Sequence, residues 1–117
     1  MIQDVKRYFS SLGRENEVLE FSQSSATVAL AAKALGVSLC RIAKTLSLKK
    51  GDSALLLVVA GDARIDNRKF KAHFSSKARM LSPQDAFQQT GHIVGGVCPF
   101  ALKNPLPIYL DLSLQRF

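Results

Sequence analysis

Apolar residues near the start recur at helical spacing: Ile2, Val5, Tyr8-Phe9 and Leu12. This is the stripe of an amphipathic helix, and Gly13 ends it. Val18-Leu19-Glu20-Phe21 is short and alternating and predicts a strand. Ser24-Ser25 offers hydroxyl caps for a helix carrying Val28, Ala32 and Leu35 on one face, with Gly36 as its stop. Ser38 predicts a short helical turn through Leu39 and Ile42. The period then changes to two. Leu46 and Leu48 alternate with Thr45, Ser47 and Lys49, the pattern of a half-buried strand. Gly51-Asp52 marks a turn. Ala54 to Ala60 is a continuous apolar run of strand length, which predicts a central strand covered on both faces.

Gly61-Asp62 breaks that run, and Asp66 can cap a helix through Phe70 and Phe74. Ala78-Arg79-Met80-Leu81 predicts another strand. Ser82-Pro83 begins a helix with Pro at its first position, and Gly91 lies just past its end. A glycine-rich loop runs from Gly91 to Pro99. Pro105 and Pro107 lead into a last strand, Ile108-Tyr109-Leu110-Asp111. Helices and strands alternate with short connections, so the fold class is α+β: a mixed β-sheet or barrel flanked by helices.

Composition narrows the setting. The chain has 117 residues, 47% of them hydrophobic and 21% charged, the balance of one globular domain. No apolar run approaches the roughly 20 residues that cross a bilayer. No apolar core follows the charged start Met1 to Arg7, as a signal peptide would require. The expectation is a cytoplasmic protein without a membrane partner, and Cys40 and Cys98 are then free thiols. The net charge is +7 and is spread over Lys33, Arg41, Lys44, Lys49-Lys50, Arg64, Arg68-Lys69, Lys71, Lys77 and Arg79. Such a face suits a polyanion such as nucleic acid or an acidic membrane surface, or equally an ordinary lysine-rich surface.

Two features can carry chemistry. Lys44 shares strand parity with Leu46 and Leu48, which must face the core. A lysine at the mouth of an apolar face either snorkels its ammonium to water or holds it at a pocket rim. At a rim it can grip a carbonyl, a phosphate or a developing oxyanion. The loop Thr90 to Pro99 contains Gly91, Gly95 and Gly96, where backbone can approach a ligand and aim successive N–H groups into one concavity. A hairpin turn without a ligand is the other reading. Cys98 would need a base to act as a nucleophile, and His92 is the only histidine of that loop. A bystander thiol is the simpler reading, and His73 and His92 read as surface or loop residues. Asp62, Asp66 and Asp111 read as turn and cap residues. No metal motif, Ser-His-Asp order or paired carboxylate is present, so no cofactor is expected.

Five stretches, in order, resemble one family. They are Ala31-Ala32-Lys33-Ala34-Leu35-Gly36-Val37, Ile42-Ala43-Lys44-Thr45-Leu46, Ala60-Gly61-Asp62, Thr90 to Phe100, and Tyr109-Leu110-Asp111. This pattern resembles the YbaK/prolyl-tRNA synthetase-associated editing domain family. The resemblance implies a metal-independent hydrolase that acts in trans to remove a wrong amino acid from tRNA. Lys44 matches that family's central functional residue, with Gly95 and Gly96 as catalytic loop positions. Phe21, Thr45, Val97, Cys98 and Pro99 match substrate-binding positions, and the terminal ribose hydroxyl of the substrate helps activate the attack. The Lys-Thr step is more like members acting on cysteinyl-tRNA(Pro) than like those specific for alanine. Implied partners are mischarged tRNA, tRNA(Pro) first, and prolyl-tRNA synthetase. A non-catalytic tRNA-binding module of the same fold is the alternative. Family members continue beyond the position matching Phe117, so the expectation is a single editing domain over residues 1–117 that lacks their C-terminal segment.

Overall fold

The computed structural model describes all residues 1–117. Its elements are α1 (Ile2–Ser11), α2 (Val28–Leu35), β1 (Ala43–Lys50), β2 (Ser53–Ala60), α3 (Asn67–Phe74), α4 (Pro83–Thr90) and β3 (Ile108–Leu110). Three 3₁₀ turns cover Glu15–Glu17, Leu39–Arg41 and Leu112–Arg116. The strands form one mixed sheet in the order β1-β2-β3. β1 pairs antiparallel with β2 through the Gly51-Asp52 turn, and β3 pairs parallel with β2. The sheet is open, so of the two expected forms the flanked sheet is the one adopted and the barrel is not.

The cross-strand register sorts the sheet faces. Lys44, Leu46 and Leu48 lie opposite Val59, Leu57 and Leu55, on one face. Leu48, Leu55 and Phe70 of α3 form the centre of the core there. Leu46, Leu57, Ile65, Phe74, Ala78 and Tyr109 pack around it. The other face holds Ser47, Leu56, Val58 and Ala60, all buried. β2 is therefore covered on both sides, as its unbroken apolar run predicts.

Helix ends follow local signals. Asp66 caps α3 by accepting from Lys69 N, and Ser82 caps α4 by accepting from Asp85 N. Gly36 and Gly91 terminate α2 and α4 at positive φ, 68° and 79°. The cap of α2 is Thr27, which accepts from Leu30 N at 3.1 Å, rather than Ser24 or Ser25.

Two expected strands are not formed. Val18 to Phe21 is irregular, with Leu19 62% and Phe21 41% exposed. No neighbouring strand offers it a ladder, and an unpaired strand has no stable hydrogen-bond pattern. Ala78 to Leu81 is reduced to a single bridge, Met80 opposite Leu48. Lys49 N donates to Arg79 O at 2.8 Å and Leu81 N to Ser47 O at 3.0 Å, after which the chain turns away into the α4 cap. That bridge covers only the far half of the β1 edge. The half from Ala43 to Leu46 stays free for other groups.

Candidate functional site

At the free end of β1 lies a cavity of about 250 Å³ lined by Ala43, Lys44 and Thr45, by Ile42, by Ser25 to Thr27, by Ala31 of α2, and by Gly95 and Val97. Three segments far apart in sequence meet here. β1 supplies the cation, the start of α2 supplies one wall, and the glycine loop supplies the other. Gly95 has φ +91°, open to glycine at little cost, and a Cβ placed there would stand 3.0 Å from Ala26 Cβ. The loop and the α2 approach thus touch across the rim.

Lys44 is half-buried, and its Nζ donates to Gly61 O at 3.4 Å. It makes no salt bridge. An ammonium has three N–H donors, so two remain for a ligand. The backbone N–H groups of Gly95 and Val97 also have no partner within the chain, whereas Gly96 N donates to Ile93 O at 2.9 Å. The pocket therefore collects a cation and unspent N–H donors around a small volume, an arrangement that receives a carbonyl or carboxylate oxygen.

The loop has a second side. Gly96 and Cys98 line a larger, apolar cavity of about 590 Å³ with Met1, Val5, Phe9 and Phe100. Of the residues singled out from the sequence, the structure brings Lys44, Thr45, Gly95 and Val97 together. Gly96 and Cys98 are turned to the opposite side, and Phe21 and Pro99 line neither cavity. Sequence reasoning did not single out Ser25, Ala26, Thr27, Ala31, Ile42 and Ala43 as lining residues. The run Ser24-Ser25-Ala26-Thr27 does signal a helix start, but its approach to the loop is a long-range contact with no local signature.

His92 is a loop residue, one of the two expected forms, but it is buried, 1% exposed. Its N–H donates to Thr90 Oγ1 at 3.0 Å, and its Nε2 lies 2.8 Å from Phe100 O. A carbonyl only accepts, so Nε2 carries the proton and cannot take one from a thiol. Cys98 Sγ is 3.6 Å from that same nitrogen. Burial pushes the Cys98 thiol above its ordinary value, with a smaller opposing effect from the Phe100 backbone. Both facts argue against a thiolate nucleophile.

Next to the Lys44 acceptor, Asp62 is gripped by Arg116: Nη1 to Oδ2 is 3.1 Å and Nη2 to Oδ1 is 2.6 Å. This pair holds the Asp62 carboxyl below its ordinary value, and the charge of Lys44 adds a smaller pull in the same direction. Asp111 caps the last 3₁₀ turn by accepting from Ser113 N at 2.9 Å.

The chain belongs to the aminoacyl-tRNA editing domain family, which matches residues 22–117. It is 54% identical over 117 residues to the uncharacterized protein YwhH of Bacillus subtilis (strain 168), across 99% of this chain and 74% of that protein. Among solved structures it is similar to a candidate trans-editing enzyme for prolyl-tRNA synthetase, with TM-score 0.87 and 30% identity over 99% of this chain and 74% of that one. A scaffold from computational epitope grafting is comparably similar, with TM-score 0.86 and 28% identity over the same shares. The mixed sheet flanked by helices is thus the fold of the editing domain.

Proposed function

We propose that the chain is a trans-editing deacylase that hydrolyses the ester of a mischarged tRNA, with cysteinyl-tRNA(Pro) or a related small aminoacyl group as substrate. The observation that carries this reading is the half-buried Lys44, free of any salt bridge, lining one cavity with Gly95 and Val97, whose N–H groups have no partner within the chain. The cavity of about 250 Å³ is below the range of drug-sized pockets and suits a small acyl group. Thr45 and Val97 line it as substrate contacts.

An aminoacyl ester is an activated acyl group, so positioning and charge stabilisation are enough to speed its hydrolysis. In this reading a water molecule attacks the carbonyl carbon, assisted by the neighbouring ribose hydroxyl of the substrate. The carbonyl oxygen becomes an oxyanion beside Lys44 and the loop N–H donors. The bond to the ribose oxygen then breaks, that oxygen takes a proton, and free amino acid and tRNA leave. Exposed Lys49, Lys50, Arg68, Lys69 and Lys71 would hold RNA phosphates without reading sequence.

The test is deacylation of cysteinyl-, alanyl- and seryl-tRNA(Pro) by wild type and Lys44→Ala. Loss of a single oxyanion donor typically costs about 10²-fold or more in rate, and that loss is expected here. A fully active Lys44→Ala protein would sink the reading. RNA binding without hydrolysis of any member would leave a tRNA-binding module instead.

A further inference from the structure

Asp62 follows directly on the residue whose carbonyl holds Lys44, yet Lys44 forms no ion pair with it. Both Asp62 oxygens are occupied by the Arg116 guanidinium in a fork-to-fork pair. We propose that Arg116 is a positioning residue: by holding the Asp62 carboxylate it keeps that charge off Lys44, so the ammonium remains available to substrate. The inference rests on the reading of Lys44 as the cation beside the oxyanion.

The backbone is built to hold Arg116 in this place. Asp111 N donates to Val58 O at 2.9 Å, which extends the β2–β3 pairing to the start of the last 3₁₀ turn. Asp111 caps that turn through Ser113 N, and Ala60 N donates to Ser113 Oγ at 3.1 Å. Arg116 Nε in turn donates to Ser113 O at 3.0 Å. A run of hydrogen bonds from the end of β2 thus aims the guanidinium at Asp62, 54 residues away in sequence. The two side chains are 48% and 43% exposed. Exposed pairs add little to stability, so stability alone is a weak account of so many anchors.

If Arg116 is removed, the Asp62 carboxylate is freed one residue from the carbonyl that holds Lys44. The lysine stem is flexible and its acceptor at 3.4 Å is a long one, so a new Lys44–Asp62 pair would form at little cost. That pair would neutralise the site. Two features would follow. Removing Arg116 should slow hydrolysis, and removing the Asp62 charge as well should restore it. A purely structural Arg116 would give no such rescue.

The experiment compares Lys44→Ala, Arg116→Gln, Arg116→Lys, Asp62→Asn and the double variant Arg116→Gln/Asp62→Asn on the aminoacyl-tRNA that wild type hydrolyses. Arg116→Gln should lose about tenfold in kcat, the change that corresponds to a coupling of about 1.4 kcal/mol. Arg116→Lys should lose less, and the double variant should match Asp62→Asn. An Arg116→Gln protein as fast as wild type, or a double variant no faster than Arg116→Gln, would overturn the inference. An active Lys44→Ala protein would instead overturn the reading beneath it, so the two failures are distinct. Should Arg116→Gln fold poorly, Arg116→Lys with and without Asp62→Asn carries the same comparison.

Discussion

Gly61 is the residue where fold and site are most tightly joined, and Gly61→Ala tests both. A Cβ at this position would lie 2.3 Å from Leu39 O, 2.6 Å from Val28 Cγ1 and 3.0 Å from Ile42 O. Two of those three atoms are backbone, so no rotamer change relieves the overlap. Either the Leu39–Arg41 turn or the end of β2 must move. Overpacking of this kind costs about 1–3 kcal/mol, and rigid backbone neighbours put Gly61→Ala at the upper end, about 3 kcal/mol. With an m-value of about 2 kcal/mol/M in urea, the midpoint should drop by about 1.5 M. Gly36→Ala is the control. Gly36 has φ +68° but nothing within 4 Å, so it carries only the left-handed backbone penalty of roughly 1 kcal/mol. The same change in Gly61→Ala displaces the carbonyl that accepts from Lys44. Hydrolysis measured well below the unfolding transition should therefore fall too. A urea midpoint for Gly61→Ala equal to that of Gly36→Ala would refute the packing argument. A lowered midpoint with full activity would separate the Gly61 carbonyl from the work of Lys44.

Two further outcomes concern the glycine loop. Gly95→Ala should slow deacylation, because its Cβ meets Ala26 at 3.0 Å under a φ of +91°, while Gly96→Ala should change the rate far less, since its nearest neighbour is Ile93 O at 3.6 Å; equal losses in steady-state assays would contradict the two-sided loop. For Cys98 the folded thiol titrates above its ordinary 9.0, so its contribution to stability is fully present below the unfolded value and is lost as pH rises through the folded one. Urea midpoints of wild type should then fall more steeply than those of Cys98→Ala above about pH 9, and parallel curves would show that burial of the thiol is not coupled to folding.

What the sequence disclosed and what it withheld divide along one physical line. Signals that act within a few residues were readable: Asp66 and Ser82-Pro83 begin α3 and α4, and Gly36 and Gly91 end α2 and α4. β2 was readable because only a strand covered on both faces keeps eight such positions almost wholly apolar. Lys44 was readable as an anomaly of parity, a cation on a face given to Leu46 and Leu48. Val18 to Phe21 failed because alternation describes a strand's faces but not whether a neighbour exists to pair with it. The loop shows the same limit more finely. Gly95 and Gly96 are adjacent and chemically identical, yet one lines the Lys44 pocket with its N–H free and the other spends its N–H on Ile93. Backbone torsion and long-range packing make that distinction, and neither is written in residue type. Arg116 and Asp62 carry the point furthest. Asp62 reads alone as a turn residue and Arg116 carries no local signal, and only the docking of the last 3₁₀ turn on β2 makes them a pair. A cation on an apolar strand face can thus be noticed from its own strand, whereas the groups that surround it must be found in the fold.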